Sequence, residues 1–377
     1  MSAMSGKHLH VRIDPSWQLT GPGGQAVPAR ALAWLADIQA HGSLSAACKA
    51  QGASYRHAWA LLREAEAALG APLVDMTRGK GAALTPLGEA LVWSQRRGEA
   101  RLRPQLDSLA HELHTALHRL LADADRPLRV AVSHGYAIET LQQQLAEAGA
   151  AVDWRYTDSS QALAALHSGA ADVASLHLPI APSGGPGMAP DALQSALLRQ
   201  HQRWLAPDWL YVHMVTRRQG LMVRPGNPLH IDHVADLLRP DVRFVPRVAG
   251  SGTRLLLEAL LRQAGHEPSG LGAGTTGEHT HAAVAAFVAS GMADAGFGVE
   301  TSARRFGLEF IPVQTEQYGL LLPAALAEAP GVQRLLGVLR GAACQAALSQ
   351  LGGYSRVRCG EVEPAAQVFA GWPLEAA

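Results

Sequence analysis

The run Gly250-Ser251-Gly252-Thr253-Arg254 stands between an extended stretch, Val242–Val245, and an amphipathic helical pattern, Leu255–Ala264. Glycines at such a place let backbone N–H groups converge on a helix start, where the helix dipole also favours an anion. Ser251 and Thr253 add hydroxyls. Arg254 adds charge and a forked donor set that suits a carboxylate or an oxyanion. A cap alone needs one Ser or Thr, so the cluster reads as an anion cradle. It lacks the Gly-Lys-Ser/Thr ending of a Walker loop and the third glycine of a dinucleotide fingerprint. Ser133, Ser159, Ser160 and His177 fall at the carboxyl ends of candidate strands, where such sheets bind ligands. His281 and Tyr318 join them as candidate ligand contacts, although a lone histidine is more often a satisfied structural residue. Two ligand classes fit: a tetrahedral dianion of the molybdate or tungstate type, held by hydroxyls and amides, or a small carboxylate such as formate. Glu278 would repel either, so it is expected to cap a helix or to pair with Arg254.

Other chemistries fit less well. Ser133, His134 and Asp294 suggest a triad, but no Gly-x-Ser-x-Gly elbow is present, so no enzyme is expected. His111, His114 and His118 miss the HExxH spacing, and no cofactor or metal is expected. The three cysteines, Cys48, Cys344 and Cys359, form no CxxC pair, which argues against a zinc knuckle or a disulfide scaffold.

Those side chains must be positioned by a substantial body. The 377 residues are 48% hydrophobic and 17% charged, enough for several packed domains and too apolar for a disordered chain. No apolar run approaches the ~20 residues of a membrane span. The start, MSAMSGKHLHVRID, has no apolar signal core, so a cytoplasmic protein is expected. The 32 basic and 32 acidic residues balance, yet residues 30–103 carry ten Lys/Arg against six Asp/Glu. A basic front on a slightly acidic body suits a DNA-reading head on a sensing domain.

Residues 127–180 read as βαβαβ: strands at Leu128–Val132, Val152–Tyr156 and Asp172–Leu176, with helices between, giving a parallel sheet covered by helices. Residues 181–208 read as irregular. Tyr211–Thr216 and Gly220–Val223 read as two strands crossing to a second lobe, Leu308–Pro312 as another, and Tyr318–Leu322 as the return. Val332–Ser349 reads as one helix.

In the front part His8–Ile13 reads as a short strand. Three helical patterns follow, Ala29–His41, Leu44–Gln51 and Ser54 to Gly70, broken at Gly42 and Gly52. Two helices joined by a short glycine-containing turn make a helix-turn-helix. Arg78 and Lys80, on a Gly-rich tip between two extended pieces, would lie near phosphates in a wing. Leu102, Leu106, Leu109, Leu113, Leu117 and Leu120 make a narrow seam on a long helix, expected to pair with a second copy.

The stretches Gly42-Ser43-Leu44-Ser45-Ala46-Ala47, Leu69-Gly70-Ala71-Pro72-Leu73 and Leu84-Thr85-Pro86-Leu87-Gly88 resemble the winged helix of LysR-type regulators. Ser54-Tyr55-x-x-Ala58-Trp59 looks more like the ModE variant. This resemblance implies DNA contacts from Ser43, Ser54, Tyr55, Arg56, His57 and Arg63, besides Arg78 and Lys80, with Trp59 in the core. The back part, through Gly226-Asn227-Pro228-Leu229, Arg247, the Gly250–Arg254 run, His281 and Gly291–Gly298, resembles molybdate-binding-protein-like sensor domains of the type II periplasmic-binding-protein fold. It lacks the small molybdate domains that end true ModE.

The expected chain is multidomain. An α+β winged helix-turn-helix spans 1–86 and a linker and dimerisation helix 87–124. An α/β two-lobe sensor spans 125–377, with crossovers near 205–220 and 313–322. The expected activity is a transcription regulator that binds double-stranded DNA and a small anionic effector, as a homodimer or homotetramer and away from membranes. The rival readings are an oxyanion store without a regulatory role and, behind it, an enzyme.

Overall fold

The computed structural model describes residues 11–77, 81–121, 127–180, 192–272, 277–369 and 372. It divides into two compact units, 14–102 and 103–377 with the first 13 residues.

The first unit opens with a small hairpin, β1 (Leu19–Thr20) and β2 (Ala26–Val27), then three helices: α1 (Ala29–His41), α2 (Leu44–Gln51) and α3 (Tyr55–Leu69). Each helix ends on a glycine with positive φ: Gly42, Gly52 and Gly70. A side chain would be strained there, so these glycines set where each helix stops. Ala31, Leu35 and Ile38 of α1 meet Leu44, Ala47 and Cys48 of α2 and Ala58, Leu62 and Ala65 of α3 in one core. The small residues let the helices approach. The paired strands β3 (Val74–Thr77) and β4 (Gly81–Leu84) form the wing. Glu66 of α3 accepts from the Leu73 and Val74 amides and ties the helix to it. The long helix α4 (Pro86–Leu121) follows, with Pro104 inside it, and its residues from Arg103 on belong to the second unit.

The second unit is built on a nine-stranded mixed sheet. Its first lobe holds β5 (Leu128–Val132), α5 (Tyr136–Glu147), β6 (Val152–Tyr156), α6 (Ser159–His167) and β7 (Val173–Pro179), with β5 parallel to both β6 and β7. After α7 (Ala192–His201) comes β8 (Trp209–Val223), and then the second lobe: β9 (Phe244–Val245), α8 (Gly252–Gln263), α9 (His281–Ala289), β10 (Ala295–Val299) and α10 (Glu300–Arg305). The chain returns through β11 (Glu309–Pro323). It closes with α11 (Pro330–Arg340), α12 (Ala342–Ser349), β12 (Tyr354–Ser355), β13 (Val362–Pro364) and α13 (Ala365–Val368).

The 15-residue strands β8 and β11 pair antiparallel and run through both lobes. Near one end they meet β7, and near the other β10. Two expected strands are therefore one, on each side of the pair. Gly220 does not break β8. It faces Pro312, and a methyl group there would fall 2.1 Å from the Ile311 carbonyl oxygen. The region expected to be irregular contains α7, which buries Leu193, Leu197 and Leu198. The helix expected over 332–349 is two, parted at Gly341. The strand expected at 8–13 lies partly outside the described residues, and 11–13 form no regular element. Among the described residues no helix is long and apolar enough to cross a membrane.

Candidate functional site

Side chains alternate faces along a strand. On one face of the central sheet this alternation sets Ser175 and His177 of β7, Glu316 and Tyr318 of β11, and Arg217 and Gln219 of β8 side by side. Every one of them is at least nine-tenths buried. Arg217 and Glu316 are direct cross-strand partners, with Nε 2.5 Å from Oε1. Gln219 donates to the same carboxylate oxygen and to Thr253 Oγ1. The Arg217 guanidinium lies 4.5 Å from the Tyr318 ring centroid, a cation–π contact.

The electrostatics of this cluster follow from burial. Burial pushes the Glu316 carboxyl up, but Arg217 and Gln219 hold it below its usual range, so it is ionised. Burial works against the Arg217 charge, and Glu316 more than restores it. Burial lowers His177 to about 4, and burial with repulsion from Arg247 and Arg217 holds His281 well below its usual range, so both rings are neutral. Arg247 drops to about 10 through burial and repulsion from Arg217, although it donates to the Glu278 and His279 carbonyls.

Helix starts close over this face. Gly250 approaches Asp158 at the head of α6, and Gly252 packs on the His177 ring. Ser251 caps α8, Asp158 caps α6 and Thr280 caps α9. The start of α5 is different: Gly135 has no side-chain cap, and a methyl group there would sit 3.4 Å from Arg217 Nη1. In and around this cluster, Arg217 Nη1, His177 Nδ1, His281 Nδ1 and Gln219 Oε1 are buried with no hydrogen-bond partner among the described residues, as is Ser159 Oγ at the start of α6. The Tyr354 hydroxyl lies near Arg217 but outside hydrogen-bond geometry. A guanidinium edge beside an uncapped helix start is a place of positive potential.

The hydroxyl cradle expected from the sequence is largely spent on the protein itself. Ser133 Oγ meets the Tyr318 hydroxyl and Ser160 Oγ meets His201 Nδ1. Thr253 accepts from Gln219, and Ser251 accepts from the Arg254 amide. Arg254 does not pair with Glu278. It reaches Glu258, one helical turn on, at 2.6 Å, and the Leu271 carbonyl. His177 and His281 are brought to the cluster with unmade bonds, Ser159 is buried at the start of α6 with its hydroxyl unpartnered among the described residues, and Tyr318 forms the cluster's wall. Gly250 and Gly252 bring the α8 start against the first lobe. Arg217, Gln219 and Glu316 were not expected, and Arg247 was named only as part of the resemblance. The signal for the first three was polar residues at alternate positions of long strands.

In the first unit the start of α3 leaves Ser54, Tyr55, Arg56 and His57 exposed. Ser43 is spent as the cap of α2, accepting from the Ala46 amide. Arg63 lies over the Trp59 ring and pairs with Glu66, and Trp59 is half-buried against the core. Arg78 and Lys80 lie outside the described residues. Among the described residues no group of three or more His, Cys, Asp or Glu could hold a metal ion.

Residues 139–340 match the PBP superfamily domain. Residues 29–89 match the bacterial regulatory helix-turn-helix protein, lysR family. The uncharacterized protein YvgK of Bacillus subtilis is 32% identical over 212 residues, which are 55% of this chain and 64% of that protein. The chain thus spans less than two thirds of this curated relative. Among solved structures, a hydrogen-peroxide-bound OxyR mutant of Corynebacterium glutamicum aligns at 16% identity. It has a TM-score of 0.42 and covers 85% of this chain and 93% of that one. Full-length BenM aligns at 15% identity with a TM-score of 0.39, covering 82% and 95%. By its longer match the chain belongs to the periplasmic-binding-protein (PBP) superfamily, and it carries ahead of that domain a helix-turn-helix of the bacterial regulatory lysR family.

Proposed function

We propose that this chain is a cytoplasmic transcription regulator whose helix-turn-helix binds double-stranded DNA and whose two lobes close on a small anionic effector. One observation carries the reading. In a chain with a lysR-family helix-turn-helix, the PBP domain buries Arg217 with its Nη1 unpartnered among the described residues, beside the uncapped start of α5. Leaving a guanidinium N–H buried without an acceptor costs ~1–3 kcal/mol or more, so an anion that fills this place favours the closed form. Ligand can bias DNA binding only through unequal affinity for the open and closed forms.

The effector is a molybdate- or tungstate-type oxyanion or a small carboxylate such as formate. Arg217 Nη1, Ser159 and the α5 amides would hold it. The ModE-like features of the head favour the oxyanion. The free donors are fewer than a hydroxyl cradle would give, which favours the carboxylate. Leu109, Leu113 and Leu117 are exposed along α4, and a second copy of the chain would cover them as a homodimer.

Footprinting on the region upstream of the chain's own gene, with and without molybdate, tungstate and formate, tests the reading. Protection that an anion shifts supports it. Absence of protection under every condition ends the regulatory reading in favour of an anion store.

A further inference from the structure

The tripeptide Ser133-His134-Gly135 joins β5 to α5. Its outer two residues face the buried cluster. Ser133 is fixed by Tyr318 twice, through Oγ at 3.2 Å and through its carbonyl at 3.1 Å, and its amide donates to Ser175. Gly135 lies against Arg217 Nη1. The middle residue reaches α4. His134 Nε2 is 3.3 Å from Asp107 Oδ2, and its Nδ1 is 3.4 Å from Glu139 Oε1. Its ring lies on Tyr156, with centroids 4.7 Å apart. Arg103, one turn before Asp107 on α4, holds the other Asp107 oxygen. The His134 side chain is 8% exposed and that of Asp107 16%, so solvent screens this pair little, whereas Glu139 is 41% exposed and screened more.

An imidazole can donate to two carboxylates only when both nitrogens carry protons. Burial opposes that charge, but Asp107 and Glu139 raise His134 above its ordinary value of 6.5. The groups that face it are Asp107 and Arg103 from α4, Glu139 from α5 and the Tyr156 ring from β6. His281, in the cluster, feels its charge more weakly.

We infer that His134 is a positioning residue that couples the cleft to α4: its paired imidazolium latches Asp107 to the strand end whose two neighbours line the effector place. The inference rests on the reading that this cleft takes an effector, and it names how occupancy leaves the site. An occupant beside Arg217 and Gly135 settles the backbone of residues 133–135, and the Asp107 contact moves with it. Coupling between two sites is reciprocal, so loosening the latch also weakens the cleft. Raising the pH until the imidazolium loses its proton removes one of its two donors and loosens α4.

The test is hydrogen exchange of α4 amides 103–113 in the full chain, corrected for intrinsic rates, from pH 6 to pH 9. In the unaltered chain, protection should fall as pH rises. His134→Gln and, as a milder change, Asp107→Asn should each lower protection and flatten its pH dependence. A methyl group on Gly135 would only touch Arg217 Nη1, 3.4 Å away, so Gly135→Val, whose branches reach past that contact, perturbs the cleft without any ligand. It should change α4 protection by about fivefold or more in the unaltered background and far less in His134→Gln. Additive effects of Gly135→Val and His134→Gln, or an unchanged pH dependence in both latch variants, overturn the coupling. Calorimetric titration with molybdate and formate addresses the cleft reading separately. Its failure would leave the outcome of the exchange cycle standing.

Discussion

A methyl group built on Gly252 would fall 1.8 Å from His177 Nε2. Gly252 opens α8 in the second lobe, and His177 lies on β7 in the first. The two lobes therefore touch through a backbone laid directly on an imidazole. The Tyr136 hydroxyl of α5 meets Ser302 of α10, 2.9 Å away, in a second contact between the lobes. The lobes are in contact at both places, and any side chain at Gly252 would collide with the first contact.

Gly252→Ala should therefore oppose closure. Alanine suits a helix start, so folding should survive in the open form. Overpacking of this kind costs ~1–3 kcal/mol, about tenfold or more in affinity for a ligand that needs the closed lobes. Small-angle scattering should show a larger radius of gyration, and titration with the effector should show the weaker binding. Unchanged affinity would mean that closure does not involve this contact.

The Arg217–Glu316 pair should matter more to stability than its polar character suggests. Arg217→Met leaves Glu316 buried with Gln219 as its remaining donor, and such broken pairs cost ~3–5 kcal/mol. Glu316→Gln should cost less, because the amide still accepts from Arg217. Joint replacement with apolar residues should recover part of the loss. Urea unfolding of the three variants checks the order.

The helix-turn-helix could be read directly because its signals are local. Gly42, Gly52 and Gly70 end three helices at the positions where the apolar spacing stops, and each has positive φ. The sensor's βαβαβ start was equally plain, since Leu128–Val132 is mostly apolar, Val152–Tyr156 alternates apolar and charged residues, and turn residues bound both. Arg217 and Glu316 could not be paired from the sequence. They lie 99 residues apart, and only the register of β8 on β11 sets them opposite each other. Arg217-Arg218-Gln219 fell between two expected strands because three polar residues in a row resemble a solvated connection, whereas they continue β8. The hydroxyls were found at the helix starts, yet most were already committed to neighbours that no spacing reveals.

Acid should destabilise the sensor before ordinary carboxylates protonate. His177 falls from 6.5 to about 4 on folding, so the unfolded chain takes up its proton first as pH drops. Its contribution is intact above pH 6.5 and is lost between there and about 4, a total of about 3 kcal/mol. His281 is shifted the same way. Denaturant midpoints measured from pH 7.5 to 4 should fall across that window, and His177→Gln should remove part of the slope. A flat profile would place His177 in contact with water.

On the DNA side the exposed start of α3 gives the sharpest expectation. Arg56 is exposed there beside Tyr55 and His57, with no packing role to lose. Arg56→Ala should leave the unfolding midpoint unchanged while weakening operator binding by ~1–3 kcal/mol if it reads a base edge. If it instead meets a phosphate, binding should weaken alike on all sequences, and the slope of affinity against salt should drop by about one. Ser43→Ala is the contrasting case. Its hydroxyl caps α2, so the variant should lose about 1 kcal/mol of stability. Competition gel-shifts at several salt concentrations, run beside thermal unfolding, separate a lost contact from a loosened fold. Full operator affinity in Arg56→Ala would remove this residue from the interface.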